Sequence, residues 1–147
     1  MSVVPLEQLR LNKQLAFERN LLRELTLDEV QKDVEGSFRS LFLSYYVYDT
    51  AIREEAVEQA MEAYLLGAEA SQYLCNGDDV KEVSSRYRVE LDTIVYDFYD
   101  YLDYWQEATA RNGWFALRGE RICRDFFQRW WTLGMEKGKI RRRLKLD

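Results

Sequence analysis

The sequence contains no histidine, and only one proline and seven glycines occur among its 147 residues. Without histidine there is no Ser-His-Asp triad, no His-ligated zinc and no imidazole base, so catalysis would depend on carboxylates, lysine, tyrosine or cysteine. The scarcity of helix-breaking residues favours long helices over a β architecture rich in turns. These absences favour an all-α protein that is not an enzyme.

The two cysteines, Cys75 and Cys123, are far apart and fit no metal-binding spacing, so we expect reduced thiols. The N-terminal stretch MSVVPLEQLRLNK has neither the apolar segment nor the cleavage pattern of a secretory signal. No apolar run approaches the roughly 20 residues that a membrane-spanning helix needs. The sequence therefore predicts a cytoplasmic protein.

Apolar residues make up 47% of the chain and recur at intervals of three and four, which is typical of amphipathic helices. We predict a single all-α domain, a bundle of four or five helices joined by short turns. Thr26 with Glu29, and Asp79 with Glu82, have the spacing of N-terminal helix caps. The dipeptide Asn76-Gly77 is expected to end the helix between them.

Three features of the helix pattern are less regular. Near Asp49 or Thr50 we predict a short break, with one of these residues capping the helix that follows. A long helix is predicted from about residue 79 to residue 111. In the last segment, Gly134 and Gly138 are expected to loosen the helical pattern.

The stretch YDFYDYLDYW, residues 96–105, contains three aspartates among six aromatic residues. A helical projection at about 100° per residue places an apolar stripe on one side of this helix. That predicted core stripe consists of Leu91, Ile94, Phe98, Tyr101 and Trp105. The opposite side is the predicted outer face, which consists of Tyr96, Asp97, Tyr99, Asp100, Asp103 and Tyr104.

The outer face has three interpretations. In the first interpretation, it is a solvated helix surface. In the second, it is a contact surface in which tyrosines supply rigid area and carboxylates select a basic partner. In the third interpretation, some of the carboxylates converge on a hard divalent cation through their oxygens.

A second set of carboxylates lies in Glu54-Glu55-Ala56-Val57-Glu58. This E-E-x-x-E element resembles the one with which MazG-like all-α nucleotide pyrophosphohydrolases bind magnesium. The resemblance implies Glu54, Glu55 and Glu58 as metal ligands. The E-x-x-D element of that family is missing here. Its nearest substitute, Asp97-x-x-Asp100, is expected to face outward.

Charge is unevenly distributed along the chain. Residues 1–111 contain 11 Lys and Arg against 22 Asp and Glu, and residues 112–147 contain 10 against 4. We divide the chain into a helical bundle, residues 1–136, and a basic C-terminal segment, residues 137–147. Three explanations of this segment stay open. It is a tail that keeps the protein soluble, or it docks on an acidic protein surface, either on another chain or on the outer face itself. In the third explanation, it contacts nucleic acid or a membrane. Its basic residues are Lys137, Lys139, Arg141, Arg142, Arg143 and Lys145.

The segment ERNLLRELTLDEV, from Glu18 to Val30, resembles a family of short uncharacterised intracellular proteins of Bacillus-like spore formers. The chain length and the aromatic, basic C-terminal part are also similar to those of that family. The resemblance implies a cytoplasmic bacterial protein and brings no activity. We therefore predict a non-enzymatic adaptor or regulatory protein that binds a protein partner or itself. It needs no cofactor, and no small-molecule substrate follows from the sequence. The alternatives are a divalent-metal-dependent pyrophosphohydrolase and a binder of an anionic surface.

Overall fold

The structure is a computed structural model that describes the backbone of residues 5–109 and 114–144 and the side chains of residues 5–106 and 118–144. Within these ranges the chain is helical and contains no strand, which confirms the predicted all-α fold. Its helices are α1 (Leu6–Glu24), α2 (Leu27–Phe38), α3 (Tyr45–Val47), α4 (Arg53–Cys75), α5 (Val80–Arg86), α6 (Arg88–Thr109) and α7 (Trp114–Arg143).

Three of the predicted helix ends are confirmed, two by side-chain caps and one by a glycine. The Thr26 hydroxyl accepts from the backbone N–H of Glu29 at 3.2 Å, and the Asp79 carboxylate accepts from that of Glu82 at 2.8 Å. Gly77 has a φ of 101°, and its N–H donates to the carbonyl of Leu74 at 3.1 Å. This left-handed conformation favours glycine and ends α4.

The break predicted near Asp49 and Thr50 is wrong. Ser44 caps α3 instead, and the chain then passes through a π-helical turn, Tyr48–Ile52, directly into α4. The Thr50 hydroxyl donates to the carbonyl of Tyr46 at 2.6 Å inside the helix and caps nothing. The π-helical turn starts and ends on two fully buried side chains, which keeps both of them in the core.

The long helix predicted over residues 79–111 is interrupted at Tyr87, which separates α5 from α6. Tyr87 is shared by both helices, because its N–H donates to the Val83 carbonyl at 3.2 Å and its carbonyl accepts from Leu91 N–H at 3.0 Å. Arg111, at the end of the predicted range, lies outside the described residues. The buried side of α6 is rotated slightly from the predicted stripe, with Ile94, Tyr101 and Trp105 only half-buried. Its buried apolar residues are Leu91, Val95, Phe98 and Leu102.

The most extensive packing in the described chain is between α4 and α7. Gly67 on α4 lies against the backbone of Trp131, and Gly134 on α7 lies against the backbone of Tyr64. A Cβ atom at either glycine would overlap the facing carbonyl oxygen. Gly134 and Gly138 were expected to loosen the helix, but they permit this close backbone approach. We call this arrangement the α4–α7 contact.

An aromatic cluster joins α2, α6 and α7 beside the α4–α7 contact. The Phe38 ring lies edge-on to Phe98 and Phe126, with centroid distances of 5.3 and 4.8 Å. Phe98 also meets Phe127 edge-on at 5.4 Å. Such pairs add about 0.5–1.5 kcal/mol each beyond the area that they bury. The cluster therefore fixes the apolar side of α6 against the bundle and turns its other side outward.

Within the part of the chain that the structure describes, no helix combines the length and apolar character required to cross a bilayer.

Candidate functional site

The structure places four of the six predicted residues of the outer face on the exposed side of α6 and the other two at its edge. Asp97 and Asp100 are exposed, and Tyr96 and Tyr104 are 44% and 60% exposed. Tyr99 and Asp103 are half-buried at the edge that faces α7. Because helix positions advance by about 100° each, tyrosines and aspartates alternate around this face over about 12 Å of helix length.

The carboxylates of the outer face have no partner inside the described chain. None of Asp97, Asp100 and Asp103 forms an ion pair or a side-chain hydrogen bond with a described residue. Other acidic residues do: Asp33 binds Arg129 at 2.9 Å, and Glu24 binds Arg141 at 3.1 Å. The outer face therefore carries negative charge that the described residues do not neutralise.

The tyrosines of the outer face are held in place from the side. Tyr96 donates its hydroxyl proton to a Glu120 carboxylate oxygen at 3.0 Å, and the Arg124 guanidinium lies 5.5 Å from the Tyr96 ring centroid. Burial raises the pKa of Tyr99, and the nearby Asp103 carboxylate raises it further. A tyrosine ring fixed in this way offers contact area with little entropy left to lose on binding.

The Tyr104 ring lies at the other end of the outer face. Its centroid is 5.3 Å from that of Trp105, and the two rings meet edge to face. The outer face thus presents tyrosine rings at both ends, with aspartates between them.

Glu54, Glu55 and Glu58 lie in the first turns of α4. Glu54 and Glu58 are exposed, whereas Glu55 accepts a hydrogen bond from the side-chain amide of Gln59 at 3.2 Å. Among the described residues, no three His, Cys, Asp or Glu side chains are grouped in a way that could hold a metal ion. Glu54, Glu55 and Glu58 do not form such a group, and their role as metal ligands stays a prediction.

The basic C-terminal segment begins inside a helix. The predicted boundary between residues 136 and 137 falls within α7, which continues to Arg143. Lys137 and Lys139 are half-buried and Arg143 is exposed, while Lys145 lies outside the described residues. The helix therefore carries most of this segment along the bundle.

Two arginines of the basic segment bind other helices of the same chain. Arg141 pairs with Glu24 of α1. Arg142 donates to the Ser71 hydroxyl at 2.8 Å and lies 4.1 Å from the centroid of the Phe17 ring. Burial lowers the pKa of Arg142. These contacts attach the end of α7 to α1 and α4. One of the expectations was that the segment would dock on the chain's own outer face, and these two arginines contact other helices instead.

Sequence reasoning missed a cation–aromatic cluster at the π-helical turn. The Arg39 guanidinium lies 4.9 Å from the centroid of the Tyr45 ring, and Arg53 donates to the Tyr45 hydroxyl at 2.9 Å. Arg53 also pairs with Asp49 at 2.7 Å, so the residue predicted to cap α4 binds a cation instead. The i, i+4 spacing of Asp49 and Arg53 was the available sequence signal.

Comparisons with known proteins agree with the resemblance seen in residues 18–30. The chain is 27% identical over 137 residues to the Uncharacterized protein YbaK of Bacillus subtilis (strain 168), covering 91% of this chain and 90% of that protein. No solved structure matches. The predicted resemblance to an uncharacterised Bacillus family is confirmed. Because the family described as Protein of unknown function (DUF2521) matches residues 1–147, the chain belongs to that family.

Proposed function

We propose that this chain is a non-enzymatic, cytoplasmic interaction protein whose outer face on α6 binds a basic segment of a protein partner. One observation carries the proposal. Asp97, Asp100 and Asp103 have no cationic partner among the described residues, although arginines neutralise carboxylates elsewhere on the surface.

Within the described part of the chain, no ion pair stabilises this concentration of charge. Like charges three or four residues apart destabilise a helix by about 0.2–0.5 kcal/mol per pair. Their cost to the isolated chain is offset when a partner supplies lysine or arginine. Charge complementarity of this kind mainly raises the association rate and excludes acidic partners.

The tyrosines support a protein partner rather than a free cation. Exposed rings at Tyr96 and Tyr104 supply the flat, amphipathic area that is enriched at protein interfaces. They also stack on guanidinium groups, which adds about 0.5–1 kcal/mol per pair at exposed positions. A basic segment rich in arginine would satisfy the aspartates and the tyrosines together.

Two arginines of the basic C-terminal segment are held by internal contacts, which disfavours them as the cations that a second copy would offer. Arg141 and Arg142 are engaged with α1 and α4. A second copy would therefore have to break internal contacts in order to offer these arginines to the outer face.

The test compares two triple variants with the same change in charge. We would measure retention of proteins from the source organism on the immobilised chain carrying D97N/D100N/D103N or, as control, E54Q/E58Q/E62Q on exposed positions of α4. We expect a basic partner that is retained by the wild-type and control chains, lost with the first variant, and released by salt. Equal retention by both variants would exclude the outer face as the binding surface.

A further inference from the structure

A polar cavity of about 270 Å³ opens where α5, α6 and α7 meet. Its lining includes the guanidinium side chains of Arg88 and Arg124 and the carboxylate of Asp92. Neutral hydrogen-bonding groups complete it, including the Ser84 hydroxyl and the Gln128 amide. We call it the α5–α6–α7 cavity. None of the six residues of the outer face lines it.

Positive charge exceeds negative charge in the lining of this cavity. Arg124 Nη1 donates to Asp92 Oδ1 at 2.7 Å, and Arg88 Nε lies 3.9 Å from the other oxygen of the same carboxylate. One carboxylate thus stands between two guanidinium groups. Each guanidinium has five N–H donors, so Asp92 leaves most of them for other acceptors.

A second carboxylate lies close to Arg124 but outside the lining of the cavity. The Glu120 carboxylate lies 3.6 Å from Arg124 Nη2, but Glu120 is not among the residues that line the cavity. Arg124 remains charged, because its hydrogen bond with Asp92 raises its pKa above the ordinary value for arginine.

A second observation comes from Trp131, which also lines the cavity. This residue is only 2% exposed, and its indole N–H is buried without a hydrogen-bond partner among the described residues. A buried donor of this kind costs about 1–3 kcal/mol when it is left unsatisfied. The indole ring forms part of the cavity wall, so the signal of its N–H reports on what occupies the cavity.

We propose that the α5–α6–α7 cavity binds a small ligand through an oxyanion group, either a phosphate or a carboxylate. The two arginines neutralise the anion, and the serine and amide donors supply directed hydrogen bonds. A metal ion does not fit this lining, since it offers one carboxylate beside two cations. The cavity adjoins the proposed protein-binding face at Arg124, which also lies against the Tyr96 ring. Arg88 contacts no residue of that face in the described structure, so a variant of Arg88 tests the cavity independently.

The test follows the Trp131 indole N–H by two-dimensional ¹H–¹⁵N NMR, with its resonance assigned by its loss in W131F. Inorganic phosphate and acetate are titrated separately at constant ionic strength, with chloride as the reference salt. We expect a saturable shift of the Trp131 indole signal with at least one of the two anions. The anion that binds more tightly distinguishes a phosphate-bearing from a carboxylate-bearing ligand.

Two exposed arginines provide matched variants. Arg88 lines the cavity and its side chain is 82% exposed, whereas Arg121 on α7 is 88% exposed and does not line it. We expect R88Q to weaken anion binding about tenfold, which corresponds to one charge-assisted hydrogen bond, and R121Q to leave it unchanged. No saturable shift with either anion, or equal weakening by R88Q and R121Q, would overturn the proposal.

Discussion

The α4–α7 contact and the outer face of α6 use opposite kinds of side chain. At the α4–α7 contact, Gly67, Gly134 and Gly138 bring two backbones together with no room for a Cβ atom. On the outer face, tyrosines and aspartates extend from a helix whose other side is packed on the aromatic cluster. Small residues at the α4–α7 contact permit close backbone packing, which stabilises the bundle. The exposed side chains of the outer face are not needed for that packing, and under our proposal they select the partner.

The largest expected effect comes from adding one methyl group at the α4–α7 contact. We expect G134A to lower the free energy of unfolding by about 3 kcal/mol, because the new Cβ meets the backbone of Tyr64, which cannot rotate away. Urea denaturation followed by circular dichroism measures the change.

Gly36 provides the matched control for that substitution. It lies inside α2, and a Cβ atom there meets nothing within 4 Å. We expect G36A to raise the free energy of unfolding by about 1 kcal/mol through helix propensity alone. A G134A variant as stable as G36A would mean that the backbones do not approach each other closely.

The next effect concerns the end of α7. We expect R142A to lower the free energy of unfolding by about 2 kcal/mol, because it loses the hydrogen bond to Ser71 and the packing on Phe17. The neighbouring exposed residue gives the control, and R143A should change stability by less than about 0.5 kcal/mol. Equal effects in thermal or urea unfolding would place Arg142 in solvent, as in a disordered basic tail.

A smaller effect depends on pH. Burial raises the pKa of Tyr64 from 10.0 to about 12, and its hydroxyl donates to the Leu21 carbonyl at 3.1 Å. The unfolded chain therefore loses this proton first as pH rises, so stability is retained below about pH 10 and falls between pH 10 and pH 12. From pH 8 to pH 11 the loss from this one group is about 1 kcal/mol.

Replacing the hydroxyl isolates that contribution. We expect Y64F to cost about 1 kcal/mol at pH 8 through the lost hydrogen bond, and to show a weaker alkaline decline than the wild-type chain. Y46F, at a residue that is 75% exposed, should follow the wild-type curve at every pH. Identical alkaline slopes for Y64F and wild type would show that Tyr64 is not buried in solution.

The sequence was sufficient for features whose determinants are close together in the chain. Thr26, Asp79 and Gly77 end or start helices through hydrogen bonds within a few residues, so their roles could be predicted from spacing. The outward direction of Asp97 and Asp100 could be predicted in the same way, because helical periodicity alone separates the apolar side from the polar one.

Features that depend on a partner helix could not be predicted in this way. Gly134 is unfavourable in an isolated helix, and its value is visible only when α4 lies against it. Asp92 and Arg124 are 32 residues apart on different helices, and no local pattern joins them into one cavity. The interruption at Tyr87, a buried residue, has no glycine or proline to mark it in the sequence.

The separation between the two surfaces is tested most directly by the free energy of unfolding of D97N/D100N/D103N, measured in urea at neutral pH. Asparagine and aspartate have similar helix propensity, so the substitution changes charge and little else. We expect this variant to be as stable as the wild-type chain, or more stable by up to about 0.5 kcal/mol, because repulsion between neighbouring carboxylates is relieved. A loss of more than about 1 kcal/mol would show that these aspartates have partners within the fold, which would contradict the assignment of the outer face to binding.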